Sequence, residues 1–354
     1  MKSHDGSLLQ NAAYLGLGLA STIISTLSDR TRNKANWTRD KVVVITGGSR
    51  GLGLALAEEF GRRGAQLVLN ARNEGQLAEA RRLLVDRGAV PSAEDVLIVP
   101  ADLRNPEDAS RLIDEATRRF GRVDVLINNA GVITVGPIEN QSLEQFREVM
   151  DSNFFSGLHC TMAVLPQMLE RRAGSIANVT SIGGRVAVPH LLPYCASKFA
   201  AVGLSEGLGM ELRSRGIRVT TICPGLMRTG SHRNAFFTGD SSREYQWFSL
   251  VANTPGASAS ARHAAKKIAS GIAAGRAEIT ITPQALLAAR LGNLSPEAKR
   301  IAMMAMYMAL PDAREGQNVP HRGGDVRERE LFPASTIGTS AARQYNQMGA
   351  FVDL

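Results

Sequence analysis

The sequence predicts a doubly wound α/β fold, in which a mostly parallel, seven-stranded sheet carries helices on both faces. Two observations predict it: short runs of β-branched and aliphatic residues alternate with longer segments of helical spacing, and a glycine-rich turn follows the first run. Parallel strands need right-handed crossovers, so the helices fall on both faces of one sheet. Ligands in such folds bind beyond the carboxyl ends of the strands.

The strands are predicted along residues 41–285. The first is the continuous run Val42–Thr46, which is typical of a strand buried on both faces. The other six are predicted at Gln66–Asn70, Val96–Val99, Val123–Ile127, Ser175–Thr180, Ile217–Cys223 and Ala277–Thr282. This count gives the seven strands of the proposed sheet.

Helices are predicted between these strands, and two have clear start signals. Asn105-Pro106 places a cap residue and a first-turn proline before acidic residues, and Ser142 with Gln145 resembles a capping box. The predicted helices run from the glycine-rich turn to Gly64 and over Glu74–Asp86, Asn105–Gly121, Ser142–Arg171 and Tyr194–Arg215.

Residues 1–40 form a separate N-terminal region. Between Asp5 and Asp29 there is no charged residue, and apolar residues recur at helical spacing over residues 7–28. A helix that contacts a membrane surface, with the basic residues that follow it on the cytoplasmic side, is one interpretation. A helix packed on its own domain or on a partner is the other. Residues 286–354 form a C-terminal extension.

Composition narrows the class of protein. The chain of 354 residues is 44% hydrophobic and 21% charged, as is ordinary for a soluble globular protein. The three cysteines show no C-x-x-C spacing and no metal-ligand clustering, so we expect reduced thiols, a cytoplasmic location and no metal. The net charge of +8 suits an anionic partner, but the basic residues are dispersed and no nucleic-acid-binding motif is present. We therefore expect no nucleic acid.

The turn after the first strand is a candidate phosphate-binding site. Its sequence, Thr46-Gly47-Gly48-Ser49-Arg50-Gly51-Leu52-Gly53, places glycines where a strand meets the N-terminus of a helix. Free backbone N–H groups and the helix dipole favour a pyrophosphate there, and glycines let the backbone approach it closely. The spacing is T-G-x-x-x-G-x-G and not G-x-G-x-x-G.

Two arginines near this turn favour NADP(H) over NAD(H). Arg50 lies in the turn and Arg72 follows the second strand, where no acidic residue is available to accept a ribose hydroxyl. Arginines attract a 2′-phosphate, whereas a carboxylate would repel it. Asp102, after the third strand, is a candidate for holding the adenine amine, and Asn129-Ala130-Gly131 would let the backbone pass close to the cofactor.

Tyr194 and Lys198 are the candidate acid–base pair. They are four positions apart, so in a helix the phenol and the ammonium share one face. A neighbouring cation lowers a tyrosine pKa, and such a tyrosine can exchange a proton with a carbonyl or alcohol oxygen. Ser181 can hydrogen-bond the same oxygen if the chain folds back.

The ordered set of motifs resembles the short-chain dehydrogenase/reductase family in its NADP-preferring form. The resemblance covers about residues 40–285 and rests on the glycine-rich turn, Asp102-Leu103, Asn128-Asn129-Ala130-Gly131, Asn153, Ser181, Tyr194-x-x-x-Lys198 and Pro224-Gly225-x-x-x-Thr229. It implies a Rossmann-type fold, a bound NADP(H), a homo-oligomer and the reduction or oxidation of a small substrate.

The resemblance also implies a role for each matching residue. Tyr194 would be the general acid–base, Lys198 would bind the nicotinamide ribose and lower the tyrosine pKa, and Ser181 would orient the substrate oxygen. Asn153 would hold a water that links Lys198 to solvent. The residues Pro224, Gly225 and Thr229 would contact the nicotinamide end.

The chain beyond Thr229 bears on the substrate. An aromatic-rich stretch, Phe236, Phe237, Tyr245, Trp247 and Phe248, is either an apolar lid or a helix packed into the core. For the methionine-rich segment near residues 303–308 core packing is favoured, with pocket closure, a dimer contact or lipid contact as alternatives. Residues 312–354 are predicted to be irregular.

The sequence therefore predicts an NADP(H)-dependent enzyme that interconverts an apolar ketone or aldehyde and its alcohol. The alternative within enzymes is a 3-oxoacyl-thioester reductase. The alternative of another class is a non-catalytic NADP(H)-binding sensor or scaffold, against which the intact residues Ser181, Tyr194 and Lys198 argue.

Overall fold

The computed structural model describes residues 37–256, 258–282, 295–326 and 334–348. The apolar helix predicted at residues 7–28 lies outside these ranges. Within them, no helix is both long enough and apolar enough to cross a membrane.

The elements follow the alternation that the sequence predicts. The strands are β1 Val42–Thr46, β2 Gln66–Ala71, β3 Val96–Pro100, β4 Val125–Asn128, β5 Thr134–Val135, β6 Gly174–Val179, β7 Ile217–Cys223, β8 Met227–Arg228, β9 Phe236–Phe237, β10 Ala259–Ser260, β11 Glu278–Thr280 and β12 His321–Arg322. The helices are α1 Gly51–Arg62, α2 Glu74–Asp86, α3 Pro106–Phe120, α4 Leu143–Met150, α5 Ser156–Glu170, α6 Leu192–Leu212, α7 Ser241–Asn253, α8 Ala261–Ala273, α9 Pro296–Tyr307, α10 Gly323–Val326 and α11 Thr339–Gln344.

The main sheet has seven strands in the order β11-β7-β6-β4-β1-β2-β3, and all neighbouring pairs are parallel. This confirms the predicted fold class. Strand β1 pairs with β2 on one side and with β4 on the other, so the winding direction reverses there. A crevice forms beyond the carboxyl ends of strands at such a reversal, and the glycine-rich turn leaves β1 at this edge.

Both faces of the sheet are covered by apolar side chains. Alternate residues of β1 point to opposite faces: Val43 and Ile45 pack with α1 and α8, whereas Val42 and Val44 pack with α3 and α5. All four side chains are at most 1% exposed. A strand buried on both sides has no polar face, which is why its sequence reads as an unbroken apolar run.

Several element boundaries differ from the prediction, each for a local reason. Strand β4 begins two residues later than predicted because the Val123 N–H donates to the Gln167 side chain at 3.0 Å. Helix α6 begins at Leu192, since Pro193 fits the first turn of a helix. The Ser142 capping box is confirmed, whereas the Asn105 side chain makes no capping hydrogen bond.

The helix predicted over residues 142–171 contains a π-helical turn. Residues Asp151–Phe155 form this turn between α4 and α5, and the backbone stays helical through it to Glu170. A π turn inserts one extra residue into a helix and redirects the side chains within it, and such turns are frequent at functional sites.

The C-terminal extension is more ordered than predicted. The irregular structure predicted for residues 312–354 is wrong for residues 321–326 and 334–344, which form β12, α10, a second π turn and α11. Tyr345, just after α11, is 4% exposed and joins the core on the α1 face. Core packing of the methionine-rich helix is also wrong, because none of the residues of α9 is buried.

Candidate active site

The glycine-rich turn fits a group that must approach the backbone closely. Gly47 and Gly51 have φ angles of +61° and +58°, which L side chains rarely adopt. A Cβ atom on Gly53 would lie 2.1 Å from the Gly47 carbonyl oxygen, so only glycine lets α1 begin this close to the turn. The glycines thus let the backbone at the N-terminus of α1 come close to a ligand, as a phosphate requires.

Thr46 and Asn129 fasten the turn to the end of β4. The Thr46 hydroxyl accepts hydrogen bonds from the backbone N–H groups of Asn129 and Ala130, both at 2.9 Å. The Asn129 amide donates in return to the carbonyl oxygens of Thr46 (2.9 Å) and Gly47 (3.2 Å). These bonds hold the ends of β1 and β4 at a fixed separation.

A cavity of about 1050 Å³ lies beyond the carboxyl edge of the sheet. Most of the site residues predicted from the sequence line it, namely Gly47, Ser49, Arg50, Gly51, Leu52, Arg72, Asp102, Leu103, Asn129, Ala130, Gly131, Ser181, Tyr194, Lys198, Pro224, Gly225 and Thr229. Three predicted residues, Thr46, Gly53 and Asn153, are buried behind the lining. They position the wall of the cavity.

The Ser181, Tyr194 and Lys198 side chains meet at one end of this cavity. The chain folds back after β6, so that the Ser181 hydroxyl forms a hydrogen bond with the Tyr194 side chain and accepts another from the Gly183 N–H at 3.0 Å. The Lys198 Nζ atom lies 5.8 Å from the centre of the Tyr194 ring and donates to the Val179 carbonyl oxygen at 3.0 Å.

The tyrosine is protonated at neutral pH. Burial raises the pKa of Tyr194 to about 12, and the hydrogen bond with Ser181 lowers it only in part. Burial lowers the pKa of Lys198 to about 8. That Lys198 lowers the tyrosine pKa stays a prediction, because the raised pKa reflects burial of the phenol, the largest of its causes. The phenol is set to donate a proton.

Asn153 lies in the π turn that joins α4 to α5. Its amide Nδ2 donates to the Ser197 hydroxyl at 2.9 Å and to the Val132 carbonyl oxygen at 3.0 Å, while its Oδ1 accepts from the Val132 N–H at 2.7 Å. A small cavity of about 20 Å³ adjoins it, roughly the room that one water needs. The buried Oδ1 atom of Asn128, which has no hydrogen-bond partner, belongs to a residue that lines the same cavity.

The end of the cavity near β2 is positively charged. Arg50 is largely enclosed, and its guanidinium donates to the Asn234 side chain at 3.1 Å, whereas Arg72 is exposed at the rim. The Asp102 carboxylate is held by Arg104 at 2.6 Å. Burial raises the pKa of Asp102, but hydrogen bonds from Arg104 outweigh burial and leave the pKa below its usual value. If Asp102 contacts the adenine, its carboxylate would bind both the adenine amine and Arg104.

The opposite end of the cavity is apolar. The predicted aromatic stretch divides in two: Phe237 and Tyr245 are at most 1% exposed and belong to the core, whereas Phe236, Trp247 and Phe248 line the cavity. The Trp247 Nε1–H donates to the buried Glu244 carboxylate at 2.6 Å. That carboxylate also bonds His190 at 2.7 Å, which fixes the indole in the wall.

The C-terminal extension completes the cavity. Pocket closure is an alternative that the sequence leaves open for the methionine-rich segment, whereas a contribution from β12 and from residue 347 is not foreseen from the sequence. Met303, Met306, Arg322 and Gln347 line it from α9, β12 and the segment after α11. The Tyr345 carbonyl oxygen accepts from the Gly51 N–H at 2.8 Å, so this segment lies across the glycine-rich turn. One local feature of the sequence, the glycine pair after Arg322, points to close packing of this segment. A Cβ on Gly323 would lie 2.2 Å from the His232 carbonyl oxygen, so only glycine fits there.

The chain is similar to known oxidoreductases. A family model described as short chain dehydrogenase matches residues 41–238. The rat protein "Dehydrogenase/reductase SDR family member 7B" is 38% identical over 218 residues, which are 61% of this chain and 66% of that protein. A mosquito protein from Anopheles gambiae, "Dehydrogenase/reductase SDR family protein 7-like", is 32% identical over 80% of this chain and 88% of its own length.

The fold is also similar to that of a solved short-chain dehydrogenase/reductase structure. It is a short-chain dehydrogenase/reductase from Burkholderia phymatum in complex with NAD, with a TM-score of 0.65 and 31% sequence identity. The similarity covers 73% of this chain and 95% of that structure.

Proposed function

This chain belongs to the short-chain dehydrogenase family, and from that premise we propose that it is an NADP(H)-dependent oxidoreductase that interconverts an apolar ketone or aldehyde and its alcohol. The observation that carries the proposal is the meeting of Ser181, Tyr194 and Lys198 at the end of a cavity whose other end is the glycine-rich turn. The candidate reacting groups and the candidate phosphate-binding turn thus line one cavity.

Bound NADPH would supply the hydride for the carbonyl carbon, and the residues of this chain would position the substrate and move the proton. The Ser181 hydroxyl orients the carbonyl oxygen. The Tyr194 phenol donates its proton to that oxygen as negative charge develops on it. A phenol with a raised pKa is protonated at neutral pH, which is the state that proton donation to a carbonyl oxygen requires.

Lys198 and Asn153 would return a proton to the tyrosine. The Lys198 ammonium stabilises a phenolate that forms beside it. A Cβ atom placed on Gly131 would lie 3.5 Å from the Lys198 Nζ and 2.7 Å from the Asn153 Oδ1. The Lys198 and Asn153 side chains therefore lie close together beside Gly131. A water in the small cavity beside Asn153 would continue this path.

The charge at the adenosine end supports NADP(H). Arg50 and Arg72 line the cavity where the sequence places no acidic residue at the end of β2. A 2′-phosphate is a dianion that two guanidinium groups bind well. The Burkholderia structure is a complex with NAD, so the affinities of this chain for NADPH and NADH are compared directly in the test below.

The apolar end of the cavity supports an apolar substrate. Trp247 and Phe248 form one wall, and Met303 and Met306 of α9 form another. A pocket with few polar groups other than Ser181 and Tyr194 binds a substrate through its apolar body and orients it through one oxygen. We accordingly assign residues 41–285 to the catalytic domain and residues 286–354 to an extension that closes its pocket.

The proposal is tested by NADPH oxidation against a panel of apolar ketones, aldehydes and 3-oxoacyl thioesters, with NADH in parallel. Turnover of free ketones or aldehydes with NADPH supports it. Turnover of thioesters alone would favour the 3-oxoacyl-thioester reductase. Tight NADPH binding without turnover of any substrate class would favour a non-catalytic binding protein.

A further inference from the structure

Residues 345–347, just after α11, lie against the glycine-rich turn. The Tyr345 carbonyl oxygen accepts from the Gly51 N–H at 2.8 Å, and the Asn346 Nδ2 donates to the Ser49 carbonyl oxygen at 3.1 Å. Tyr345 is 4% exposed and packs into the core on the α1 face. The segment is therefore anchored beside the N-terminus of α1, although it lies well beyond residue 238, where the match to the short chain dehydrogenase model ends.

The Gln347 side chain is buried in the wall of the cavity. It is 7% exposed, and it lines the cavity next to the turn. Its Nε2 atom lies only 2.5 Å from the position that a Cβ on Gly51 would take, so the missing side chain at Gly51 makes room for this amide. Gly51 is the first residue of α1. The amide therefore ends beside the helix N-terminus, where backbone N–H groups favour a phosphate.

Neighbouring hydrogen bonds determine which end of the amide lies at the turn. The Asn234 Oδ1 accepts from the Arg50 guanidinium at 3.1 Å and also accepts from the Arg322 guanidinium. The other end of the Asn234 amide, its Nδ2, donates to the Gln347 Oε1. Because the oxygen of Gln347 faces Asn234, its NH₂ group is the end that lies beside Gly51.

This NH₂ group has donors to spare. Among residues 37–256, 258–282, 295–326 and 334–348, no side chain or backbone group accepts a hydrogen bond from the Gln347 Nε2. A polar group held away from water without a partner costs free energy, and an ionised acceptor that bonds it removes that cost. A phosphate oxygen in front of α1 would be such an acceptor, and it would receive a charge-assisted hydrogen bond.

We propose that Gln347 is a cofactor-binding residue whose Nε2 group donates to the pyrophosphate of the dinucleotide at the N-terminus of α1. The inference rests on the proposed function and deepens it, because the C-terminal extension then supplies a contact to the cofactor. Since NADP(H) and NAD(H) share the pyrophosphate, Gln347 adds affinity for both cofactors and does not choose between them. The anchored backbone of residues 345–347 preorganises this contact.

The test compares Gln347→Ala with wild type in the full-length protein. Dissociation constants are measured for NADPH, NADH and ADP, which all contain a pyrophosphate, and for 2′-AMP, which carries only a 2′-phosphate. Loss of one charge-assisted hydrogen bond should weaken the binding of NADPH, NADH and ADP about tenfold. The dissociation constant of 2′-AMP should change less than about twofold.

Two further variants make the result specific. Gln344→Ala makes the same change at an exposed position at the end of α11 and should leave all four dissociation constants unchanged. Gln347→Glu keeps the shape of the side chain but places a negative charge where the donor was. It should therefore weaken the three pyrophosphate ligands more than Gln347→Ala does.

Three results with Gln347→Ala would overturn the inference. The first is an unchanged affinity for NADPH. The second is weaker binding of NADPH and 2′-AMP with an unchanged affinity for NADH, which would assign the contact to the 2′-phosphate. The third is equal weakening of all four ligands, which a general loss of structure would produce.

The wild-type measurements separate this inference from the proposed function. Wild-type protein that binds neither NADPH nor NADH would contradict the proposed function itself. Wild-type protein that binds NADPH tightly, together with a Gln347→Ala variant that binds it equally well, would contradict only the role of Gln347.

Discussion

The buried ammonium group of Lys198 lowers the stability of the fold, and replacing it with methionine should raise that stability while abolishing turnover. Lys198 is 5% exposed, and burial lowers its pKa from 10.5 to about 8. A difference of this size corresponds to about 3 kcal/mol in the free energy of unfolding at pH 7. The variant also loses the hydrogen bond to the Val179 carbonyl, which lowers the free energy of unfolding by about 1 kcal/mol. The net increase in the free energy of unfolding should therefore be about 2 kcal/mol.

The pH dependence of this gain has a fixed sign. Because the folded pKa lies below the unfolded value, the penalty is fully present below about pH 8 and disappears as the pH rises towards 10.5. The advantage of Lys198→Met over wild type should therefore shrink by about 2 kcal/mol, to near zero, between pH 7 and pH 9.5.

Urea unfolding at pH 7 and pH 9.5 measures both effects, with midpoints and slopes fitted for each variant. The control is Lys266→Met, which removes a lysine from the exposed side of α8 and should shift stability by less than about 0.5 kcal/mol. A Lys198→Met variant that is less stable than wild type at pH 7 would refute the reasoning, as would a gain that is the same at both pH values.

Two other substitutions test the geometry of the cavity, each with a matched control. Gly53→Ala places a Cβ 2.1 Å from the Gly47 carbonyl, so it should destabilise the fold by about 1–3 kcal/mol and weaken NADPH binding. Gly203→Ala, in open space on α6, should instead stabilise it by about 0.5–1 kcal/mol in the same thermal unfolding assay. Met303→Ala should raise the KM for bulky apolar ketones roughly threefold to tenfold. Met304→Ala, which is 59% exposed on the same helix, should leave that KM unchanged.

Much of the scaffold could be predicted because its signals are local. The apolar run of β1 and the glycines that follow it reflect the burial and backbone geometry of those same residues. The pairing of Tyr194 with Lys198 depends only on helical spacing. Such features are visible wherever a few adjacent residues determine the structure.

Other features depend on contacts that are distant in sequence. The π turn that presents Asn153 has no signature in helical periodicity, since α4 and α5 each look regular alone. The raised pKa of Tyr194 depends on burial by elements that are distant in sequence, which spacing does not reveal. Arg322 reaches the site only because β12 pairs with β9, more than 80 residues before it in the chain.

The central claim is that Tyr194 is the proton donor for carbonyl reduction, and Tyr194→Phe tests it most directly. With a carbonyl substrate from the panel, single-turnover NADPH oxidation should slow about 10²–10⁴-fold, because the variant loses the acid and keeps the ring. The Kd for NADPH should stay within about twofold of wild type, since the phenol is not needed to bind the cofactor.

Tyr307→Phe, which removes a hydroxyl from a tyrosine on α9 that is 51% exposed, is the control and should retain wild-type rates. A Tyr194→Phe variant that keeps the wild-type rate, or one that slows only because it no longer binds NADPH, would contradict the account.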